Sequence, residues 1–185
     1  MTTALVVIDV QKAFIADRDE GYPWANPDAP ARIAALLAAF RAKGLPVIHG
    51  HHHGLDQRDT FHAENPLSAP RDEVLPLEGE RVEINHGSSA FVGTGLEATL
   101  RETGYDQLAL AGGAANYCVE STARMAGNLG FDSTVVGDAL INFQKAMRDG
   151  RVMPPGDVLA MTLANLSGEF AEIASTDEVL AKVAG

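Results

Sequence analysis

The chain has 185 residues, of which 46% are hydrophobic and 21% charged, ordinary values for one globular domain with a substantial core. Its formal net charge of −11 argues against nucleic acid or an anionic membrane as a partner, because both are held by basic patches. A single cysteine excludes an internal disulfide and fits a reducing compartment, so a cytoplasmic protein is expected.

The first predicted element is Ala4-Leu5-Val6-Val7-Ile8, a continuously apolar, β-branched run of the kind a central parallel strand needs. It is too short to span a membrane, and without a basic leader it does not read as a signal peptide. It delivers Asp9 at its carboxyl end, the edge at which open α/β sheets bind ligands; a capping or turn carboxylate is the plainer reading of the same residue. Phe14 follows, then an irregular stretch with Tyr22, Pro23 and Trp24, whose aromatics either wall a pocket or cover the core. Asn26-Pro27-Asp28 signals a helix start, and Ile33, Leu36, Leu37 and Phe40 share one helical face that ends at Gly44.

Pro46-Val47-Ile48 begins a second strand that runs into His49-Gly50-His51-His52-His53. Residues 54–79 are polar and proline-containing, and read as a long ordered loop. Glu80 to Asn85 is the third strand, Thr94 to Thr103 a helix stopped by Gly104, and Gln107 to Ala111 the fourth strand. Gly112-Gly113 then makes a tight turn, since glycine tolerates close approaches that a side chain forbids. Asn116 is placed to cap the next helix, whose face carries Val119, Thr122, Ala123, Met125 and Ala126. Cys118 falls in the first turn of that helix, where the dipole and unpaired N–H groups favour an anion, so a lowered thiol pKa is expected. It also reads as a small buried hydrophobe, and position alone leaves both open. Ser133 to Val136 is a fifth strand ending in Gly137-Asp138-Ala139, Pro155 to Leu166 a helix, and Phe170 to Ala174 a last strand. Strands alternating with helices predict an α/β fold with a doubly wound parallel sheet.

Three segments together, ALVVIDVQKAF, SSAFVGTGLEATL and AGGAANYCVESTARMAGNLGFDSTVVGDAL, resemble the isochorismatase-like cysteine hydrolases, a superfamily that includes nicotinamidases and carbamoylsarcosine hydrolases. The resemblance spans nearly the whole chain. It implies a single domain with a six-stranded parallel sheet of order 3-2-1-4-5-6, helices on both faces, and a homo-oligomer, a dimer or tetramer. It also implies that Asp9 is the catalytic aspartate and Cys118 the nucleophile. A cis peptide would join Gly113 to Ala114, with the backbone N–H groups of Ala114 and Cys118 forming an oxyanion hole.

The third catalytic position departs from the pattern. The family's lysine opens a segment such as Lys-His-x-x-Ser-Ala-Phe, and here the corresponding run is Asn85-His86-Gly87-Ser88-Ser89-Ala90-Phe91. Asparagine is a neutral hydrogen-bonder and supplies no positive charge to a thiolate. Asn85 is expected to position Asp9 or a substrate atom, leaving Cys118 to the helix terminus and to His86. Phe14, Trp24, His86, Phe91 and Gly113 are the expected substrate-binding residues.

The family's nicotinamidases carry an Asp-x-His metal motif after strand two. Here His51, His52, His53 and His62 occupy that region without the motif, and consecutive residues of an extended segment point to opposite faces. They read as solvated or pocket-edge histidines, with no metal or other cofactor. The expected function is cysteine-dependent hydrolysis of a small amide or related C–N substrate. A small-molecule-binding protein on the same scaffold and a metal-assisted nicotinamidase are the alternatives.

Overall fold

The computed structural model describes residues 2–14 and 23–185; Tyr22 lies outside them. Strands β1 (Thr3–Ile8), β2 (Val47–His52), β3 (Arg81–Asn85), β4 (Gln107–Gly113), β5 (Asp132–Ile141) and β8 (Glu172–Ala174) form one sheet of order β3-β2-β1-β4-β5-β8. All five pairings are parallel. This is the order that the family resemblance implies, with β8 as the sixth strand. A short antiparallel hairpin, β6 (Lys145–Ala146) with β7 (Val152–Met153), intervenes in the chain.

Helices cover both faces. α1 (Ala29–Ala42) and α5 (Thr176–Ala184) bury Ile33, Leu36, Leu37, Phe40 and Val179 against Leu5, Val7 and Ala109 on one side. On the other, α2 (Leu96–Thr103), α3 (Glu120–Asn128) and α4 (Pro155–Leu166) bring Leu100, Ala123, Ala126 and Leu166 onto Val6, Ile8 and Leu110. Alternate residues of the central strands therefore feed two separate cores, which is why β1 and β4 read as unbroken apolar runs. Each large side chain buried there contributes roughly 1.5–3 kcal/mol.

Several element boundaries differ from expectation, and three of them bear on the site. β4 continues through Gly112 and Gly113, so the turn begins two residues later. β5 is longer than the predicted Ser133 to Val136, because a register shift after Leu110 lets it re-pair as Gly112 with Leu140 and Gly113 with Ile141. Asn116 caps nothing: a single π-helical turn, Ala115–Val119, precedes α3. α5, which the sequence reading leaves out, starts at a capping box in which Ser175 and Glu178 exchange hydrogen bonds.

Candidate active site

β1 stops at Asp9, which takes a left-handed backbone conformation at φ 51°. Aspartate is among the few L-residues that tolerate this region. The turn ends the pairing of β1 with β2 after Asp9 N donates to Gly50 O at 2.8 Å. β2 runs on to His52, whose backbone on that side has lost its partner strand. A side chain replaces it. Gln11, fully buried, accepts from His52 N at 2.9 Å through Oε1, and its Nε2 donates to His52 O at 2.9 Å and to Ser68 O at 2.6 Å. The primary amide so imitates a peptide group and pins the long loop at Ser68.

The ends of β1, β2 and β3 meet in a chain of polar contacts. His52 Nδ1 lies 3.1 Å from Asn85 Oδ1, and Asn85 Nδ2 donates to Asp9 Oδ1 at 3.3 Å. An amide oxygen only accepts, so His52 carries its proton on Nδ1 and donates. Asp9 and Asn85 are both 1% exposed. Asp9 Oδ2 is buried and receives no protein N–H or O–H donor, and the Cys118 thiol is the carboxyl's remaining hydrogen-bonding neighbour. Burial pushes the Asp9 pKa up to about 6, against the opposing pull of Cys118, His52 and Asn85. The carboxyl is therefore mostly ionised at neutral pH, but only just.

Cys118 reaches this carboxyl from the π turn after β4. The two strands that carry the pair, β1 and β4, are direct neighbours, with Ile8 opposite Gly112. The peptide between Gly113 and Ala114 is cis, as the resemblance implies. The expected thiol acidity is overturned. Burial raises the Cys118 pKa, and the Asp9 charge and hydrogen bond raise it further. The backbone N–H groups of Ala114 and Cys118 act on the sulfur in the opposite direction without cancelling these effects. A desolvated thiol beside a carboxylate holds its proton, whatever the helix dipole offers.

The predicted binding residues divide. Phe14 packs beside Gly113, where an added Cβ would stand 3.0 Å from its ring. Phe14 also meets Phe61 edge-on at 5.2 Å and Phe143 at 5.7 Å, and Trp24 meets Phe143 edge-on at 5.8 Å. These rings form an aromatic cluster beside Gly113, in which Phe14 and Trp24 belong to the core and Phe61 and Phe143 are only partly buried. Phe91 is not part of it: it stacks on Phe131 at 5.8 Å within the core under α2. His86 is exposed and donates through Nδ1 to His53 O at 2.7 Å. It is the first residue past β3, while Asn85, the last of the strand, lies against Asp9. The imidazole that reaches Asn85, and through it Asp9, is His52. Sequence reasoning missed it, and Gln11 and Phe61 with it.

The remaining histidines scatter. His49 is buried against Glu80, with its Nε2 3.0 Å from Oε2, and His51 is buried with a pKa pushed down to about 4 by desolvation, His49 and His53. His62 accepts from Glu64 N at 3.3 Å. Among the described residues no group of three His, Cys, Asp or Glu side chains converges to hold a metal ion.

An isochorismatase domain model matches residues 3–153 of the chain. The chain is 32% identical over 177 residues to the uncharacterized isochorismatase family protein YrdC of Bacillus subtilis, covering 96% of this chain and 94% of that protein. It is 30% identical over 172 residues to the ureidoacrylate amidohydrolase RutB of Methylobacterium radiotolerans, covering 75% and 66%. Among solved structures, an isochorismatase-family chain from Chromobacterium violaceum superposes with a TM-score of 0.94 at 39% identity, covering 99% of this chain and 94% of that one.

Proposed function

The chain belongs to the isochorismatase family, and from that premise we propose that it hydrolyses a C–N bond of a small molecule through a thioester on Cys118. The observation that carries this reading is the hydrogen-bonding contact of the half-buried Cys118 thiol with the buried Asp9 carboxyl, on a turn whose N–H groups face the sulfur. The similarity to an amidohydrolase acting on ureidoacrylate supports the bond class.

The steps follow from the resting protonation states. Asp9 takes the thiol proton as Sγ attacks the carbonyl carbon, so the thiolate forms only when substrate is in place. The carbonyl oxygen becomes an oxyanion on the N–H groups of Ala114 and Cys118, donors that contribute roughly 3 kcal/mol each to such states. Collapse breaks the C–N bond, and Asp9 gives its proton to the leaving nitrogen. Water then attacks the thioester with Asp9 as base, releasing the acid and restoring the thiol. Asn85 holds Asp9 Oδ1 through an uncharged hydrogen bond. Phe61 and Phe143, the partly exposed rings of the aromatic cluster beside Gly113, suit a small substrate with an apolar or planar part.

Intact-protein mass spectrometry with a panel of small amides and ureido compounds tests this. A transient acyl adduct on Cys118, absent from Cys118→Ala, is expected. Binding of these compounds without adduct or turnover would make the chain a small-molecule binder instead.

A further inference from the structure

We propose that His52 is a positioning residue for the Asp9 base: by donating to Asn85 Oδ1 it fixes the Asn85 amide so that Asn85 presents an N–H, and not a carbonyl, to Asp9. The inference rests on the reading of Asp9 as the proton carrier of Cys118.

A primary amide has nearly the same shape after a half-turn about its last bond, and the turn exchanges donor for acceptor. Next to a buried carboxylate that exchange matters: one orientation stabilises the charge, the other sets an oxygen dipole against it. Asp9 alone cannot enforce the choice while it cycles between carboxylate and acid, because the acid can donate to a carbonyl. The contact on the far side of Asn85 decides, and there, among the described residues, Asn85 Oδ1 meets His52 Nδ1 at 3.1 Å.

The rest of the site is built to hold that imidazole. Gln11 clamps both backbone polar groups of His52, and Phe61 meets its ring edge-on at 5.6 Å. Gln11 spends a fully buried side chain on this task, a costly arrangement unless the position of His52 is needed. The titratable groups facing Asp9 are Cys118 from the turn after β4 and His52 from the end of β2; Asn85, from β3, is neutral. Those facing His52 are Asp9 and His53.

Carbon-13 NMR of the Asp9 carboxyl, assigned by its loss in Asp9→Asn, reads the effect without turnover. His52→Phe keeps a ring against Phe61 and removes the donor; His52→Leu serves the same purpose if the larger ring does not fit. Either should raise the Asp9 midpoint by about one pH unit and lower kcat/KM about tenfold on its acid side. His52→Asn places an amide N–H where Nδ1 stood, and should return the midpoint to the wild-type value. An unmoved midpoint in the Phe and Leu variants would overturn the proposal. So would a midpoint in His52→Asn that moves as far as in His52→Phe, since charge and not orientation would then be responsible. If Cys118 forms no adduct with any amide, the proposed hydrolysis fails, while this titration still decides the role of His52.

Discussion

Ile8 and Gly112 face each other so closely across β1 and β4 that a Cβ on Gly112 would stand 2.0 Å from the Ile8 carbonyl oxygen. The residues that follow each of them, Asp9 on one strand and the Gly113–Ala114 turn on the other, are thereby held at one sheet edge. Gly112 also has φ +132°, a region closed to most side chains.

Gly112→Ala should therefore cost at least about 3 kcal/mol or abolish folding, since both backbone strain and overlap oppose it. Gly44, with φ +63° and nothing within 4 Å of its Cβ direction, provides the contrast: Gly44→Ala should cost about 1 kcal/mol. Urea unfolding of both variants checks the difference.

Turnover should fall on the acid side with a midpoint near pH 6, because Asp9 must be ionised to accept the thiol proton and burial raises it to about 6. The same shift carries a stability cost. A folded-state pKa above the unfolded 3.8 means that the native protein binds the proton more tightly, so stability is lost as pH rises from 3.8 through about 6. Asp9→Asn removes that cost. It should abolish turnover yet stabilise the protein by about 2–3 kcal/mol at neutral pH and by little near pH 4. Thermal melts across this range, paired with rates, test both halves.

Cys118 should react with iodoacetamide more slowly than free cysteine at neutral pH, since burial and the Asp9 carboxylate keep the thiol protonated. Asp9→Asn removes the charge and should speed alkylation several-fold. A wild-type rate above that of free cysteine would contradict the resting state drawn here.

Glu80 anchors the start of β3 to α1. Burial acts to raise its pKa, but Arg41, the Leu77 N–H and His49 together hold it down to about 2. Arg41 contributes a two-pronged contact, at 2.7 Å and 2.8 Å. A depressed carboxylate adds stability above the unfolded value of 4.5 that is lost as pH falls through about 2. Glu80→Gln should thus cost about 2–3 kcal/mol at pH 7 and progressively less in acid, as denaturation at several pH values would show.

Asn85→Lys should lower the Asp9 midpoint, because an ammonium would replace an uncharged donor against the buried carboxylate. It also removes the acceptor that holds His52, so turnover of the native substrate should fall. An unchanged midpoint would place the introduced charge away from Asp9.

The sequence by itself determined the alternation of strands and helices and hence the parallel sheet, and its family resemblance supplied the strand order and the arrival of Asp9 and Cys118 at one edge. Apolar runs and glycine punctuation are local signals, and the family's motifs fix which strand carries which residue. It also identified Asn85 as the position that departs from the lysine pattern. It could not say what Asn85 touches. His52, Gln11 and Phe61 entered the site only when β2 was seen to outrun β1, leaving His52 to be held by the Gln11 side chain. The thiol's acidity was misjudged for a related reason: a helix start is visible in sequence, whereas burial and a carboxylate from a strand 109 positions earlier are not. Phe91 and His86 were likewise expected at the binding site, but Phe91 packs on Phe131 in the core and His86 lies exposed against the His53 carbonyl. Secondary structure follows from neighbours in sequence, but a pKa or a hydrogen bond depends on neighbours in space, and those exist only after the sheet has closed.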